Sequence, residues 1–288
     1  MLKSVKVPNG AKKIIQNLQK QGYQAYLVGG CIRDLIIGIP VDEWDITTSA
    51  KPEEVTKLFK KVIPTGIEYG TVTVILPDGK FEVTTFRADE KYMDGRHPAN
   101  VVFTDDIHQD LARRDFTINA LAFDPETLTL IDDYGGVKGI EKKIIKTVGD
   151  PVERFSEDGL RPVRACRFAA KLDFKIEKST FAAIEKTLNV THKVAFERIH
   201  DEVVKLLRAE KPSIGFELMR RSGLLRLTIP ELENCYGVDQ PPKFHKYDVY
   251  YHSLYSCDAA PRGNTILRMA ALLHDLGKPA CKVDYTFY

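Results

Sequence analysis

Two short runs near the start of the chain hold the residue types that a triphosphate and its metal ions require. Leu27-Val28-Gly29-Gly30-Cys31-Ile32-Arg33-Asp34 sets paired glycines ahead of an arginine, and Asp42-Glu43-Trp44-Asp45 follows closely. Glycines have no Cβ, so Gly29 and Gly30 let the backbone come close to phosphate oxygens. Arg33 falls near the start of a helix, where free N–H groups also face anions. Glu43 and Asp45, at i and i+2, share one face if their segment is a strand, and both then reach a divalent ion, while Asp42 points the other way. Glu82, in Phe81-Glu82-Val83, is the candidate third carboxylate, from a neighbouring strand. The chemistry this suggests is metal-assisted nucleotidyl transfer, in which two ions neutralise the phosphates and activate an attacking hydroxyl. The plainer alternative is a polar turn around Trp44 and an edge-strand Glu82.

Two further clusters bear on the same chemistry. Arg113-Arg114-Asp115-Phe116-Thr117-Ile118-Asn119-Ala120 keeps two arginines, an aspartate and an asparagine around an apolar phase. Such a cluster is costly near a core unless it meets phosphate, ribose or a buried partner. It is either a nucleotide contact or a structural salt-bridge knot. In Glu157-Asp158-Gly159-Leu160-Arg161, the acid and the arginine at i, i+3 share a face of a helix. An aspartate that accepts from a base amino group, with an arginine that donates to a ring nitrogen or carbonyl, selects a nucleotide without a template. The alternative is an ordinary surface salt bridge between Asp158 and Arg161.

The elements that position these residues change character along the chain. Residues 8–21 read as a helix with Pro8 in its first turn, 26–28 as a strand leading into Gly29, and 32–37 as a helix. Strands fit 71–76 and 80–86, joined at Pro77-Asp78-Gly79, and again 120–123 and 130–132. Strand signals stop near Pro151, and the text from Phe155 onward is helical, with Pro162 marking a helix start or kink. The expected fold class is α+β, a mixed or antiparallel sheet followed by an all-helical region. The expected domains are 1–151, 152–232 and 233–288.

The 288 residues are 28% charged and 43% apolar, which suits a soluble globular chain with more than one domain. Five scattered cysteines without a CxxC pair fit free thiols in a reducing, cytoplasmic setting, and no run is long and apolar enough to span a bilayer. The net charge is only +2, but residues 161–226 hold 15 Lys/Arg against 8 Asp/Glu, a local excess suited to a phosphate backbone. His252, His274 and Asp275 make a metal-ligand-like set, yet the chain stops 13 residues later, as if cut inside a third domain. His245 is read as a packing or hydrogen-bonded histidine.

Taken in order, LVGGCIRD, DEWDITTSA, TGIEYGTV, FEVTTFR, YMDGRHP, RRDFTINALA, DDYGGVKGI, EDGLRPVRACRFAAKL and ERIHDEVVKLL resemble the bacterial-type (class II) CCA-adding tRNA nucleotidyltransferases and the related poly(A) polymerases. The resemblance implies a polymerase-β-like nucleotidyltransferase head, then a helical neck and body that bind RNA. In it Gly29, Gly30 and Arg33 cradle the triphosphate, and Glu43 and Asp45 hold Mg2+. Arg113, Arg114, Asp115 and Asn119 contact ribose and phosphates. Asp158 and Arg161 select CTP and then ATP, with Arg164 and Arg167 added to the nucleotide contacts. Asp94, Gly95 and Arg96 match the flexible loop that accompanies the switch to ATP. The implied partners are tRNA, CTP and ATP, with no membrane, and the implied assembly is a monomer or homodimer. Three positions depart from the family pattern: Glu43 where Asp is common, His200 where Arg is, and Gly139 where Leu is. The end resembles the opening of an HD-type phosphohydrolase domain, with His252, His274 and Asp275 as its metal ligands but without its distal aspartate. The nearest alternatives are a poly(A) polymerase, an enzyme adding only CC or only A, and a weakened RNA-binding relative.

Overall fold

The computed structural model describes residues 6–88 and 102–281, which fall into two units, 1–150 and 151–288. Asp94, Gly95 and Arg96 lie outside the described residues. In the first unit, α1 (Asn9–Lys20) buries Ile14, Ile15 and Leu18 along one side, and Pro8 stands just before the helix as its cap rather than within the first turn. Then come β1 (Ala25–Val28), α2 (Gly30–Ile37), β2 (Asp45–Thr48), α3 (Pro52–Leu58), β3 (Val62–Gly66), β4 (Thr71–Leu76) and β5 (Gly79–Thr85). They are followed by β6 (Arg87–Ala88), β7 (Val102–Phe103), α4 (Ile107–Ala112), β8 (Ala122–Asp124), β9 (Thr129–Ile131) and α5 (Gly136–Glu141).

Seven of these strands form one sheet in the order β3-β4-β5-β2-β1-β8-β9. Its neighbours pair antiparallel except β2 and β5, which run parallel. The β4–β5 hairpin closes through Pro77-Asp78, with Leu76 opposite Gly79, as the turn residues predict. Strand β3 carries Pro64 and is mostly exposed, the behaviour of an edge strand. Val28, Phe86 and Ala122 from the sheet region pack with Ile107 and Leu111 of α4, so α4 is anchored by its apolar side next to β1. Full burial of side chains of this size stabilises the fold by about 1.5–3 kcal/mol each.

The second unit is helical, apart from a two-residue strand at Lys175–Ile176. Its helices are α6 (Pro151–Glu157), α7 (Arg161–Leu172), α8 (Lys178–Lys186), α9 (Leu188–Thr191), α10 (Phe196–Leu206) and α11 (Pro212–Arg221). The rest are α12 (Leu224–Thr228), α13 (Pro230–Glu233), α14 (Val249–Ala259), α15 (Thr265–Leu273) and α16 (Lys278–Cys281). Helix α7 packs on α10 and α11. The stretch expected to run as one helix through Asp158 is broken at Asp158-Gly159-Leu160, and Pro162 sits in the first turn of α7. A Cβ on Gly159 would come within 2.6 Å of the Val190 carbonyl, so the break lets α9 approach closely. Among the described residues no helix is long and apolar enough to cross a membrane.

Candidate active site

Strand β1 ends at Val28 and the chain turns at Gly29, whose φ of 78° and ψ of −130° suit only glycine. The Gly29 N–H donates to the Leu121 carbonyl at 2.9 Å, which pins the turn to the segment entering β8. Helix α2 starts at Gly30, and its Arg33 is buried beside the glycine turn, at 3% exposure. Arg33 Nε donates to Asp34 Oδ1 at 2.7 Å and Nη1 to Asn119 Oδ1 at 2.5 Å. Asn119 Nδ2 in turn donates to Asp115 Oδ1 at 3.0 Å, and that oxygen also accepts from the Phe116 N–H. The buried charge of Arg33 is therefore matched by a carboxylate and an amide, as burial demands. Arg33, Asp115 and Asn119 form one connected layer under the glycine turn.

The carboxylates stand beside that turn. In β1–β2 pairing Leu27 lies opposite Ile46, so Asp45, one residue earlier, begins β2 next to the point where β1 runs into Gly29. Because β2 and β5 are parallel, residues in register project to the same side, and Asp45 is in register with Glu82. Glu43 differs from expectation: β2 begins at Asp45, so Glu43 lies in the irregular lead-in and strand alternation does not place it. Its charge nevertheless acts on Asp45. Burial, then Glu82, pushes the Asp45 carboxyl up to about 6, with Glu43 adding to the rise and Arg114 and Arg33 opposing it. Like charges brought near one another in this way are what a bound dication relieves, and all three are hard oxygen donors of the kind Mg2+ takes, although their oxygens do not converge within 4.8 Å in this structure. The donor set fits the metal implied by the sequence.

Arg114 links the two halves of the site. A Cβ on Gly29 would lie 2.9 Å from Arg114 Nη1, so the guanidinium rests against the glycine turn. Its Nη2 donates to Asp110 Oδ2 at 3.0 Å, and Arg113 reaches the same carboxylate at 4.0 Å. Sequence reasoning misses Asp110, although its i+3 and i+4 spacing to the two arginines is visible in DLARR.

In the second unit the break before α7 overturns the expectation that Asp158 and Arg161 share one helical face: Asp158 precedes the helix and Arg161 opens it. Asp158 accepts from the Leu160 N–H at 3.1 Å and from Arg198 Nη2 at 3.1 and 3.3 Å. Arg161 is held by Glu157 and by the Arg154 carbonyl, and Glu157 also binds Arg154 at 2.8 Å. Arg167 Nε donates to the buried Glu202 of α10 at 2.5 Å, with Arg164 3.7 Å from the same group. These contacts tie both arginines of α7 to α10. Arg198 and Glu202 are the partners that local spacing does not reveal, while Glu157 stands at helical spacing from both Arg154 and Arg161.

The one set of three ligating groups whose atoms gather within 4.8 Å, among the described residues, is His252, His274 and Asp275. The two Nε2 atoms are 3.2 Å apart, and Lys278 donates to Asp275 at 2.7 Å. Burial and then the neighbouring His274 hold His252 below its ordinary range, in the neutral form that binds metals.

Comparison with known proteins decides the family. Residues 25–146 match the family model of the poly A polymerase head domain, and 173–236 match the probable RNA and SrmB-binding site of polymerase A. The chain is 45% identical over 214 residues to the CCA-adding enzyme of Ligilactobacillus salivarius, covering 73% of this chain and 53% of that protein. With the CCA-adding enzyme of Enterococcus faecalis it shares 46% identity over 209 residues, 72% of this chain and 51% of that one. The Bacillus stearothermophilus CCA-adding enzyme in complex with CTP superimposes with a TM-score of 0.76 at 34% identity, over 95% of this chain and 64% of that one. The chain belongs to the family of CCA-adding enzymes and poly(A) polymerases. It spans about half the length of the curated relatives it matches. A tRNA nucleotidyltransferase complexed with a primer tRNA and an incoming ATP analog shares the family architecture, with a TM-score of 0.65 at 29% identity over 94% of this chain and 72% of that one. The head model takes in the glycine turn, the three carboxylates and the Asp110–Asn119 stretch, and the RNA-binding model overlaps the basic residues 161–226. At Gly139, where Leu is expected from the resemblance, the surroundings are tight: a Cβ there would lie 3.2 Å from Ile118 Cγ2.

Proposed function

We propose that this chain carries the nucleotide-adding centre of a template-independent tRNA nucleotidyltransferase that builds CCA on tRNA 3′ ends from CTP and ATP. The tRNA 3′-hydroxyl attacks the α-phosphate and pyrophosphate leaves. The observation that carries this reading is the in-register pair Asp45 and Glu82 at the start of β2, beside a Gly29 turn crossed by Arg114. Gly30 and the first turn of α2 receive the triphosphate with backbone N–H groups, while Gly29, its own N–H held by the Leu121 carbonyl, leaves room for the phosphates to approach. Arg113 and Arg114 oppose phosphate charge, while Arg33, Asp115 and Asn119 fix the floor of the pocket and the ribose contact. Glu43 and Asp45 hold Mg2+, with Glu82 completing the acidic set; the ions supply charge neutralisation and a lower pKa for the attacking hydroxyl. Asp158 and Arg161 read the base edge, each pre-oriented by its own partner, Arg198 and Glu157. Residues 1–151 form the head and 152–232 the neck and body, whose positive stretch follows the acceptor arm by shape and phosphate contacts. Residues 233–288 open an HD-like segment in which His252, His274 and Asp275 bind one divalent transition metal. The enzyme acts in the cytoplasm as a monomer or homodimer.

The test offers radiolabelled CTP and ATP, singly and together, with tRNAs ending before CCA, after C and after CC, plus an unrelated RNA. Stepwise extension to CCA supports the reading. Extension of the CC-ended tRNA alone identifies an A-adding enzyme, arrest after CC a CC-adding enzyme, and long adenylate tails on any RNA a poly(A) polymerase.

A further inference from the structure

Asp110 is among the most deeply buried charged side chains of the first unit, 1% exposed, and lies on the inward side of α4 next to Ile107 and Leu111 of the core. A carboxylate at such a depth is retained only where several donors satisfy it. Oδ2 accepts from Arg114 Nη2 at 3.0 Å and from Thr47 Oγ1 at 3.4 Å. Oδ1 accepts from the backbone N–H of Arg87 at 3.2 Å and lies 4.0 Å from Arg113 Nη1. Thr47 is two residues beyond Asp45 on β2, so one carboxylate ties the acid-bearing strand to the arginine that lies across Gly29.

We infer that Asp110 is a positioning residue for the pyrophosphate end of the substrate, acting through Arg114. This assignment rests on the nucleotidyl-transfer reading of the same site. Its basis is reach and charge. Arg114 has a planar fork: one terminal nitrogen is spent on Asp110, which leaves Nη1 directed at the turn. Its Nε is buried and has no hydrogen-bond partner among the described residues, so the fork is fixed from one end only. Without Asp110 the side chain, 23% exposed, is free to swing toward water and away from Gly29. The Asp110 charge also offsets the two arginines while no phosphate is present, which keeps a cationic pocket intact between turnovers. Asp110 touches no reacting atom in this scheme.

The experiment measures binding of inorganic pyrophosphate to the 288-residue chain by calorimetry at fixed Mg2+, for wild type, Asp110→Asn, Arg114→Lys and the double variant, each with its Tm. Asn keeps the shape but removes the charge and sets an NH2 donor against donors that a carboxylate oxygen now accepts from, a change of about five- to tenfold in affinity. Lysine keeps the charge of Arg114 but cannot span Asp110 and the turn together, and weakens affinity by a similar factor. The double variant binds no more weakly than Arg114→Lys alone, because both changes act on one interaction. Affinity for tRNA stays within twofold. Wild-type pyrophosphate affinity in folded Asp110→Asn overturns the assignment, and so do losses that multiply in the double variant. If Asp110→Asn does not fold, Asp110→Glu replaces it: the longer side chain shifts Arg114 and weakens pyrophosphate binding at least about threefold, and no change overturns the assignment. A wild-type chain that binds pyrophosphate but adds no nucleotide to tRNA sinks the transfer reading and reduces the role of Asp110 to positioning Arg114 for pyrophosphate alone.

Discussion

Replacement of Gly29 by alanine tests the cradle most directly, because two independent penalties meet at that residue. A φ of 78° with ψ of −130° lies where a residue with a Cβ is strained, by on the order of 1–3 kcal/mol. The new Cβ would also lie 2.9 Å from Arg114 Nη1, closer than real Cβ contacts, so the guanidinium must move. If the turn keeps its shape, the strain lowers stability and Arg114 is displaced. If the turn relaxes, its N–H groups no longer point where the phosphates sit. Either route weakens the triphosphate complex; where the turn relaxes, re-forming it around the phosphates costs up to that strain, about a 5- to 150-fold loss in kcat/KM. Gly30 is the internal control. Its backbone is ordinary, and a Cβ there lies 3.4 Å from Arg33 Nη2, at the edge of normal contact, so Gly30→Ala loses less than about threefold. The assay is single-nucleotide incorporation of CTP and ATP into the matching tRNA ends, normalised to folded protein and paired with thermal melts. Gly29→Ala within threefold of wild type would refute the reasoning, and so would a Gly30→Ala defect as large as that of Gly29→Ala.

Asp45→Asn abolishes incorporation while tRNA binding is kept, measured by filter binding beside the transfer assay. Its stability effect has a definite sign. The folded carboxyl sits near 6, above its unfolded value, so the metal-free protein loses stability as pH rises from about 4 through 6. Asp45→Asn therefore melts at a higher temperature than wild type at pH 7.5 in EDTA, and gains less from added Mg2+; an equal or lower Tm in EDTA counts against this environment. Glu43→Gln raises the Mg2+ concentration for half-maximal activity, while Glu43→Asp retains transfer; an unchanged Mg2+ titration removes Glu43 from the metal set. Charge reversal at the exposed Lys178, Lys186 and Lys193 weakens tRNA binding and flattens its salt dependence, by about one unit of slope for each phosphate no longer neutralised. His252→Ala lowers the bound Co2+ or Zn2+ by one ion per chain, read by elemental analysis after dialysis.

Much of the head is legible from local chemistry. The β4–β5 hairpin follows from Pro77-Asp78 between alternating apolar residues, and the turn after β1 from Gly29. What stays hidden depends on packing between distant segments. Strand β3 has no apolar face of its own, since it pairs at the sheet edge around Pro64. Residue type alone pairs Asp45 with Glu82, but their shared face comes from parallel registry that no local pattern encodes. Glu43 and the Asp158–Arg161 pair show the opposite failure. Ideal strand and helix spacing does not hold through segments that a late strand start and a glycine break interrupt. Distance to the glycines assigns Arg33 to phosphate, yet its side chain meets Asn119 across 86 residues. The partners of Arg33 and Arg167, Asn119 and Glu202, lie on the folded side of that gap between spacing and proximity, whereas Arg161 meets Glu157 only four residues away.

The sheet order also has a consequence for synthesis. The two inner strands, β1 and β2, leave the ribosome first, but their outer neighbours β8 and β5 come much later in the chain. Loop closure over such separations is slow, and unpaired inner strands expose both edges and an apolar face while they wait. The acidic pair cannot form until β5 has been made, and the floor beneath Gly29 needs Asn119 as well. A nascent chain halted near residue 80 therefore holds the glycine turn and Asp45 but has no assembled ion site. The acidic pair and the floor beneath the glycine turn are thus completed only when segments from both ends of the first unit have been made.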